Sequence, residues 1–205
     1  MSLYEKYVLP RLINLAMRNK DVTRLRAESV PQARGEVLEI GIGSGLNLPF
    51  YSSGVRRVYG VDPSLELQRM AATKASAVPF DVEFFTQSAE ERIPLPDSSI
   101  DTVVMTWSLC SIPNPAAALQ QVSRVLKPDG RLIFVEHGRS PDHRVIVWQD
   151  RLTPIWKRIG GGCHLNRKID DVIRAAGFQI THEKNFYLRG PRAMTYTYQG
   201  MAAIL

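Results

Sequence analysis

Cysteine is scarce in this 205-residue chain: Cys110 and Cys163 are the only two. A disulfide-stapled secreted scaffold is thereby excluded, and two thiols fit a reducing compartment, although spacing alone leaves a pairing between them open. No apolar run approaches the roughly 18 residues that a membrane-spanning helix needs. The first residues lack a secretory apolar segment with a small-residue cleavage site, so a cytoplasmic location is expected. Low-complexity tracts, internal repeats and charged tails are missing as well. So is any basic run interleaved with aromatics, which argues against a nucleic-acid partner. What is present suffices for a single domain over 1–205, because 44% apolar content can fill a full core at this length.

The net charge of +6 is unevenly spread. Residues 1–35 carry seven basic and three acidic side chains, residues 139–205 eleven and five, and the middle eight and twelve. An acidic centre between basic flanks suits either an anionic substrate or membrane surface, or simply solubility around an acidic ligand site.

That centre holds the most informative stretch, Glu36-Val-Leu-Glu39-Ile-Gly41-Ile-Gly43-Ser44-Gly45, followed by Val58-Tyr-Gly-Val61-Asp62. An apolar strand runs into a glycine turn, and a second strand ends on an acid, as at the carboxyl edge of a nucleoside-binding parallel sheet. Glycines let the backbone approach a ligand more closely than any Cβ allows. The spacing is tighter than the dinucleotide pattern G-x-G-x-x-G, and Glu39 precedes it. That combination suits a cationic ligand without phosphates, with Glu39 attracting an ammonium and Asp62 accepting hydrogen bonds from ribose hydroxyls. S-adenosylmethionine meets this description, and a nicotinamide-dependent reductase fits it less well.

At these residues the chain resembles the class I S-adenosylmethionine-dependent methyltransferases. Gln87-Ser88-Ala89-Glu90 is similar to the family's adenine-binding loop, with Ser88 where many members carry Asp, and Leu126–His137 is similar to its fifth-strand entry. The resemblance implies cofactor contacts from Glu39, Gly41, Gly43, Gly45, Asp62, Pro63, Ser88, Ala89 and Thr106.

The pattern of apolar residues predicts strands at 36–41, 57–62, 81–86, 101–106 and 131–136. Helices are expected from near Ser44 over Leu46–Tyr51, from Ser64 through about Ala77 with Leu65, Leu67, Met70 and Ala71 inward, and from Asn114 to just before Pro128. Residues 143–159 read as a helix pair broken at Pro154. Asn166 or Arg167 opens a further helix, and 178–186 with 193–204 read as an antiparallel hairpin. The expected fold is therefore α/β, a Rossmann-like doubly wound, mostly parallel seven-stranded sheet with a C-terminal antiparallel hairpin. Residues 1–34 and the insertion 138–167 remain to form a lid over the substrate. For the amphipathic segment Tyr4–Met17, a lid and a weak membrane-surface contact are both open.

Methyl transfer asks the protein for orientation, since the sulfonium methyl is already activated. Thr106-Trp107-Ser108-Leu109-Cys110 follows the fourth strand, where the family faces the methyl group. It is neither an Asn/Asp-Pro-Pro-aromatic clamp nor a Pro-Cys nucleophile, which weighs against nucleobases. Trp107, Leu109 and Ile112 read either as the wall of an apolar substrate pocket or as core. Glu136-His137, Trp148-Gln149-Asp150, Pro154-Ile-Trp156 and Gly162-Cys163-His164-Leu165-Asn166-Arg167 together resemble the thiol S-methyltransferase branch. His137, Asp150 and His164 are candidate general bases or substrate-positioning groups, and Arg167 is expected to pair with Asp150. His164 beside Cys163 suggests a metal at first sight, but no second close Cys/His pair accompanies it, and no metal is expected.

The expected activity is S-adenosylmethionine-dependent methylation of a small, apolar acceptor, a thiol first, by in-line displacement. The alternatives are a phosphatidylethanolamine or quinone-precursor methyltransferase and a noncatalytic S-adenosylmethionine-binding module. Oligomeric state is not legible in the sequence.

Overall fold

The computed structural model describes residues 7–205. Residues 1–6, which include the start of the amphipathic segment, lie outside the described residues. Seven strands form one sheet: β1 Gly35–Ile40, β2 Val55–Val61, β3 Asp81–Phe85, β4 Ile100–Thr106, β5 Leu126–His137, β6 Phe178–Tyr187 and β7 Tyr196–Ile204. Their order is β3-β2-β1-β4-β5-β7-β6. The first five strands pair in parallel, and β7 runs antiparallel to both β5 and β6, as expected for a C-terminal hairpin.

Because strand side chains alternate between faces, the sheet has two cores. Leu38, Ile40, Val103, Met105, Leu132 and Phe134 pack on one side with Leu119, Val122, Ile169 and Ile173. Val37, Val58, Val104 and Ile133 pack on the other with Val30, Leu48 and Tyr51. Each fully buried side chain of this size contributes about 1.5–3 kcal/mol of transfer free energy. Strands buried on both faces read as continuous apolar runs, which is why the central ones are legible in sequence.

The helices are α1 Leu9–Ala16, α2 Lys20–Ser29, α3 Leu65–Ala75, α4 Pro115–Val125, α5 His143–Ile159, α6 Ile169–Ala175 and the short α7 Arg192–Thr195. Expected caps hold α3 and α4: Ser64 Oγ accepts the Leu67 N–H at 3.3 Å and Asn114 Oδ1 accepts the Ala117 N–H at 3.2 Å. Leu65, expected to face inward, points out at 53% exposure, and the buried positions of α3 are Leu67, Gln68 and Ala71.

Three further expectations are corrected. After Ser44 there is no α-helix, only a 3-10 turn at Leu48–Phe50. Gly43 and Gly45 hold left-handed φ values of 53° and 70°, and Pro49 lacks a backbone donor, so the chain cannot wind into helix there. Conversely, α5 runs unbroken through Pro154. Val145, Gln149 and Thr153 recur every four residues on its buried side, and Thr153 Oγ1 donates to the Gln149 carbonyl at 2.6 Å. Tertiary anchoring on that face outweighs the single hydrogen bond that proline removes. The next helix also starts later than expected, at Ile169, with Lys168 as its N-terminal flank.

Candidate active site

At the carboxyl ends of β1 and β4 a cavity of about 470 Å³ opens. Its floor is the glycine turn. Gly41 is left-handed at φ 72°, and a Cβ there would fall 2.5 Å from the Ser108 Cβ. Gly43 faces open space, with no atom nearer than 3.9 Å to the position of a Cβ, so bare backbone lines the cavity. Gly45 alone of the proposed cofactor residues is not in the lining; its Cβ would meet Leu48 and Ala71, which makes it a packing residue.

Glu39, Gly41, Gly43, Asp62, Pro63, Ser88, Ala89 and Thr106 all line this cavity. Asp62, at the tip of β2, accepts the Gly43 N–H on Oδ2 at 3.0 Å and the Ser64 N–H on Oδ1 at 2.8 Å. Burial raises its pKa and those two amides oppose the rise. Each oxygen keeps a lone pair for a ligand hydroxyl. Ser88 instead donates its hydroxyl to Glu90 Oε2 at 2.8 Å.

Glu39 is buried and bonded within the chain. Its Oε1 accepts from Asn47 Nδ2 and its Oε2 from the Tyr51 hydroxyl, both at 2.8 Å. Burial pushes its pKa up to about 7, against the pull of the Tyr51 and Asn47 bonds and the Arg26 charge. Arg26 reaches the same network, donating from Nε to Asn47 Oδ1 at 2.9 Å. Its own pKa is brought down to about 10 by burial, opposed by Glu39. Sequence reading missed both partners. Asn47 sat in an expected helix, and Arg26 was assigned no role.

The opposite wall is apolar. Leu9, Ile13, Leu46, Trp107, Ile112 and Pro113 contribute, so α1 supplies part of the cavity lining. Ser44 Oγ donates to Asn14 Oδ1 at 2.7 Å, fastening α1 to the glycine turn. Trp107 is left-handed at φ 52° although it is not glycine, and the Arg26 guanidinium lies over its ring at 4.9 Å from the centroid. A bulky residue held in that region marks backbone strain at a functional loop.

The loop after β4 is held from below by Glu136, a fully buried residue that sequence reading assigned no role. Its carboxylate accepts the N–H groups of Ser108, Leu109 and Cys110 at 3.0, 2.9 and 3.1 Å.

The three proposed catalytic groups lie elsewhere: none is in the cavity lining. His137 is buried with Nδ1 at 3.4 Å from Cys163 Sγ. Asp150 sits on the outer surface of α5, paired with Arg139 at 3.0 Å and accepting from Asn166 Nδ2 at 2.8 Å. His164 has its pKa lowered to about 4 by burial and by the Arg167 and Lys157 charges, so it is neutral at pH 7. Arg167 does not pair with Asp150; it donates to the Leu109 and Ile112 carbonyls and braces the wall loop. Folding brings Cys110, His137 and Cys163 together, from segments too far apart in sequence for spacing to reveal.

These residues fit S-adenosylmethionine: an acid beside bare backbone for the amino-acid end, a strand-tip carboxylate for the ribose, and the Ser88-Ala89 loop for the adenine. Comparison with known proteins agrees. A family model described as a methyltransferase domain matches residues 38–134. Thiol S-methyltransferase TMT1B of Rattus norvegicus is 41% identical over 146 residues, covering 69% of this chain and 59% of the rat protein. Thiol S-methyltransferase TMT1A of Homo sapiens is 33% identical over 151 residues, covering 72% and 62%. This chain thus spans about three fifths of the length of the curated relatives it matches. The crystal structure of a SAM-dependent methyltransferase from Methanosarcina mazei superposes with a TM-score of 0.67 at 26% identity, covering 85% of this chain and 94% of that one. With the glycine turn, the strand-tip acid and the sheet order in agreement, the chain belongs to the class I S-adenosylmethionine-dependent methyltransferases.

Proposed function

We propose that this chain methylates a small, apolar acceptor, with a thiol as the first choice, by in-line displacement from S-adenosylmethionine. The observation that carries the reading is one cavity with two unlike ends: buried carboxylates on bare backbone, and an apolar wall of Trp107, Ile112, Leu9 and Ile13. When bound, the cofactor supplies an already activated methyl group. Asp62 and Glu39 hold its polar groups, and the Glu136-braced loop fixes Trp107 and Ser108 opposite. Covering by α1 excludes water and holds the acceptor in line, an effect worth on the order of 7–11 kcal/mol when orientation is complete. A thiol of pKa about 8.5 ionises with little help, so the lack of a histidine in the described lining is no obstacle. The likeness to two thiol S-methyltransferases supports sulfur as the acceptor atom.

The site of action we infer is cytoplasmic, supported by two free thiols. No helix among the described residues is long and apolar enough to cross a membrane. Val8, Leu12 and Leu15 near α1, with Ile155 and Ile159 on α5, are exposed apolar side chains that support weak contact with a membrane surface.

Turnover with methyl-labelled cofactor across alkyl thiols, amines, phenols and extracted lipids tests the reading. Label transferred to thiols is the expected result. Transfer to lipid or quinone precursors alone would replace the acceptor class, and cofactor binding without any transfer would make the chain a binding module.

A further inference from the structure

Three sulfur and nitrogen ligands converge behind the cavity wall, and the methyl-transfer site uses none of them. Cys110 follows β4, His137 ends β5, and Cys163 lies in the glycine-rich loop after α5. Cys163 Sγ stands 3.6 Å from Cys110 Sγ and 3.4 Å from His137 Nδ1. All three donor atoms lie within 4.8 Å of one another. The geometry points to a bound zinc-class cation, soft and tetrahedral, held by Cys110, His137 and Cys163.

The distances decide between readings. Zinc–sulfur bonds of about 2.3 Å and zinc–nitrogen bonds of about 2.0 Å at tetrahedral angles put sulfur about 3.8 Å from sulfur and about 3.5 Å from nitrogen. The two edges at Cys163, 3.6 Å to sulfur and 3.4 Å to nitrogen, lie within a few tenths of an ångström of these values, and Cys110 and His137 stand within 4.8 Å of each other. A disulfide would need the sulfurs at about 2.05 Å, a much larger closure between two separately anchored loops.

Satisfaction of the imidazole argues the same way. His137 is buried, and the contact of its Nδ1 with Cys163 is a weak one to sulfur. A buried ring nitrogen so poorly served calls for a stronger partner at that position. Charge also balances. Two thiolates neutralise a divalent cation. Loading releases the two thiol protons to solvent, with no oxidant required.

The placement gives the site a purpose. Ser111, next to Cys110, and Gly161, two residues before Cys163, both line the cavity. A cation here ties the loop after β4, the end of β5 and the loop after α5 into one wall of the acceptor end. Cys163, half-buried, leaves an entry path.

The test uses the full chain, reduced and stripped of metal. Cobalt(II) titration should give thiolate charge-transfer and tetrahedral d–d absorption saturating at one equivalent, displaced by one equivalent of zinc, with a rise in melting temperature. Cys163→Ser, Cys110→Ser and His137→Gln should each weaken zinc at least about 100-fold, beyond the 10–100-fold typical of groups that only orient a ligand. If Cys110→Ser fails to fold, Cys163→Ser on its half-buried loop carries the comparison. Absent cobalt bands, affinity unchanged in Cys163→Ser and His137→Gln, or an air-formed Cys110–Cys163 disulfide in chain that takes up no metal would each overturn the assignment. Cofactor affinity of the same samples is read separately, so a failure here leaves the methyltransferase reading standing.

Discussion

Asp62 and Gly43 are joined by a 3.0 Å hydrogen bond from the glycine N–H to the carboxylate, so the strand-tip acid and the glycine turn form one rigid unit. The carboxylate therefore orients the cofactor cradle as well as facing the cavity. Asp62→Ala is expected to weaken S-adenosylmethionine binding by about 2–4 kcal/mol, the range for charged hydrogen bonds lost in a buried site. Calorimetry on the folded variant checks this; affinity within twofold of the parent would remove Asp62 from the site.

Glu39 makes both stability and cofactor binding depend on pH. Its folded pKa of about 7 lies above the ordinary 4.5. An acid whose pKa rises on folding favours the folded state while protonated, so its contribution is complete below about pH 4.5 and is lost as pH climbs through 7. The loss is on the order of 3 kcal/mol at most. Cationic cofactor should bind more tightly as pH goes from 6 to 8, because Glu39 ionises across that range. In Glu39→Gln both slopes should flatten, as measured by denaturant titration and calorimetry at several pH values. Slopes that persist in the variant would assign them to another group.

Trp107 is strained, and it packs under Arg26 at the apolar wall of the cavity. Trp107→Ala should lower kcat/KM for an apolar acceptor about 5–30-fold, the equivalent of about 1–2 kcal/mol of lost ring contact. Cofactor Kd should change much less. Equal damage to both would show that the ring supports the fold of the site rather than the acceptor.

Asp150 lies outside the cavity and is engaged by Arg139 and Asn166. Those contacts hold its pKa below the usual carboxylate range. Asp150→Asn should therefore leave kcat within about twofold and cost no more than about 1 kcal/mol of stability, the scale of an exposed ion pair. A hundredfold fall in kcat with cofactor affinity intact would restore a catalytic role.

Local sequence determined the strands and the cofactor frame, because their signals are short-ranged. Val37, Leu38, Ile40 and Val103–Met105 must be apolar to lie inside a covered sheet, and Gly41 and Gly43 must lack Cβ atoms to hold their left-handed turn. Asp62 ends its strand wherever that strand goes. Only the tertiary structure decided what is assembled from distant segments: Arg26 and Asn47 around Glu39, Glu136 beneath the wall loop, and Cys110 and His137 against Cys163. Those partners are 21, 28 and 53 residues apart in the pairs Arg26–Asn47, Ser108–Glu136 and Cys110–Cys163. No periodicity or spacing rule spans such gaps, since the contacts exist only once the sheet has brought its strand ends side by side. The same reason corrected Pro154, whose local preference to break a helix gave way to the packing of Val145, Gln149 and Thr153.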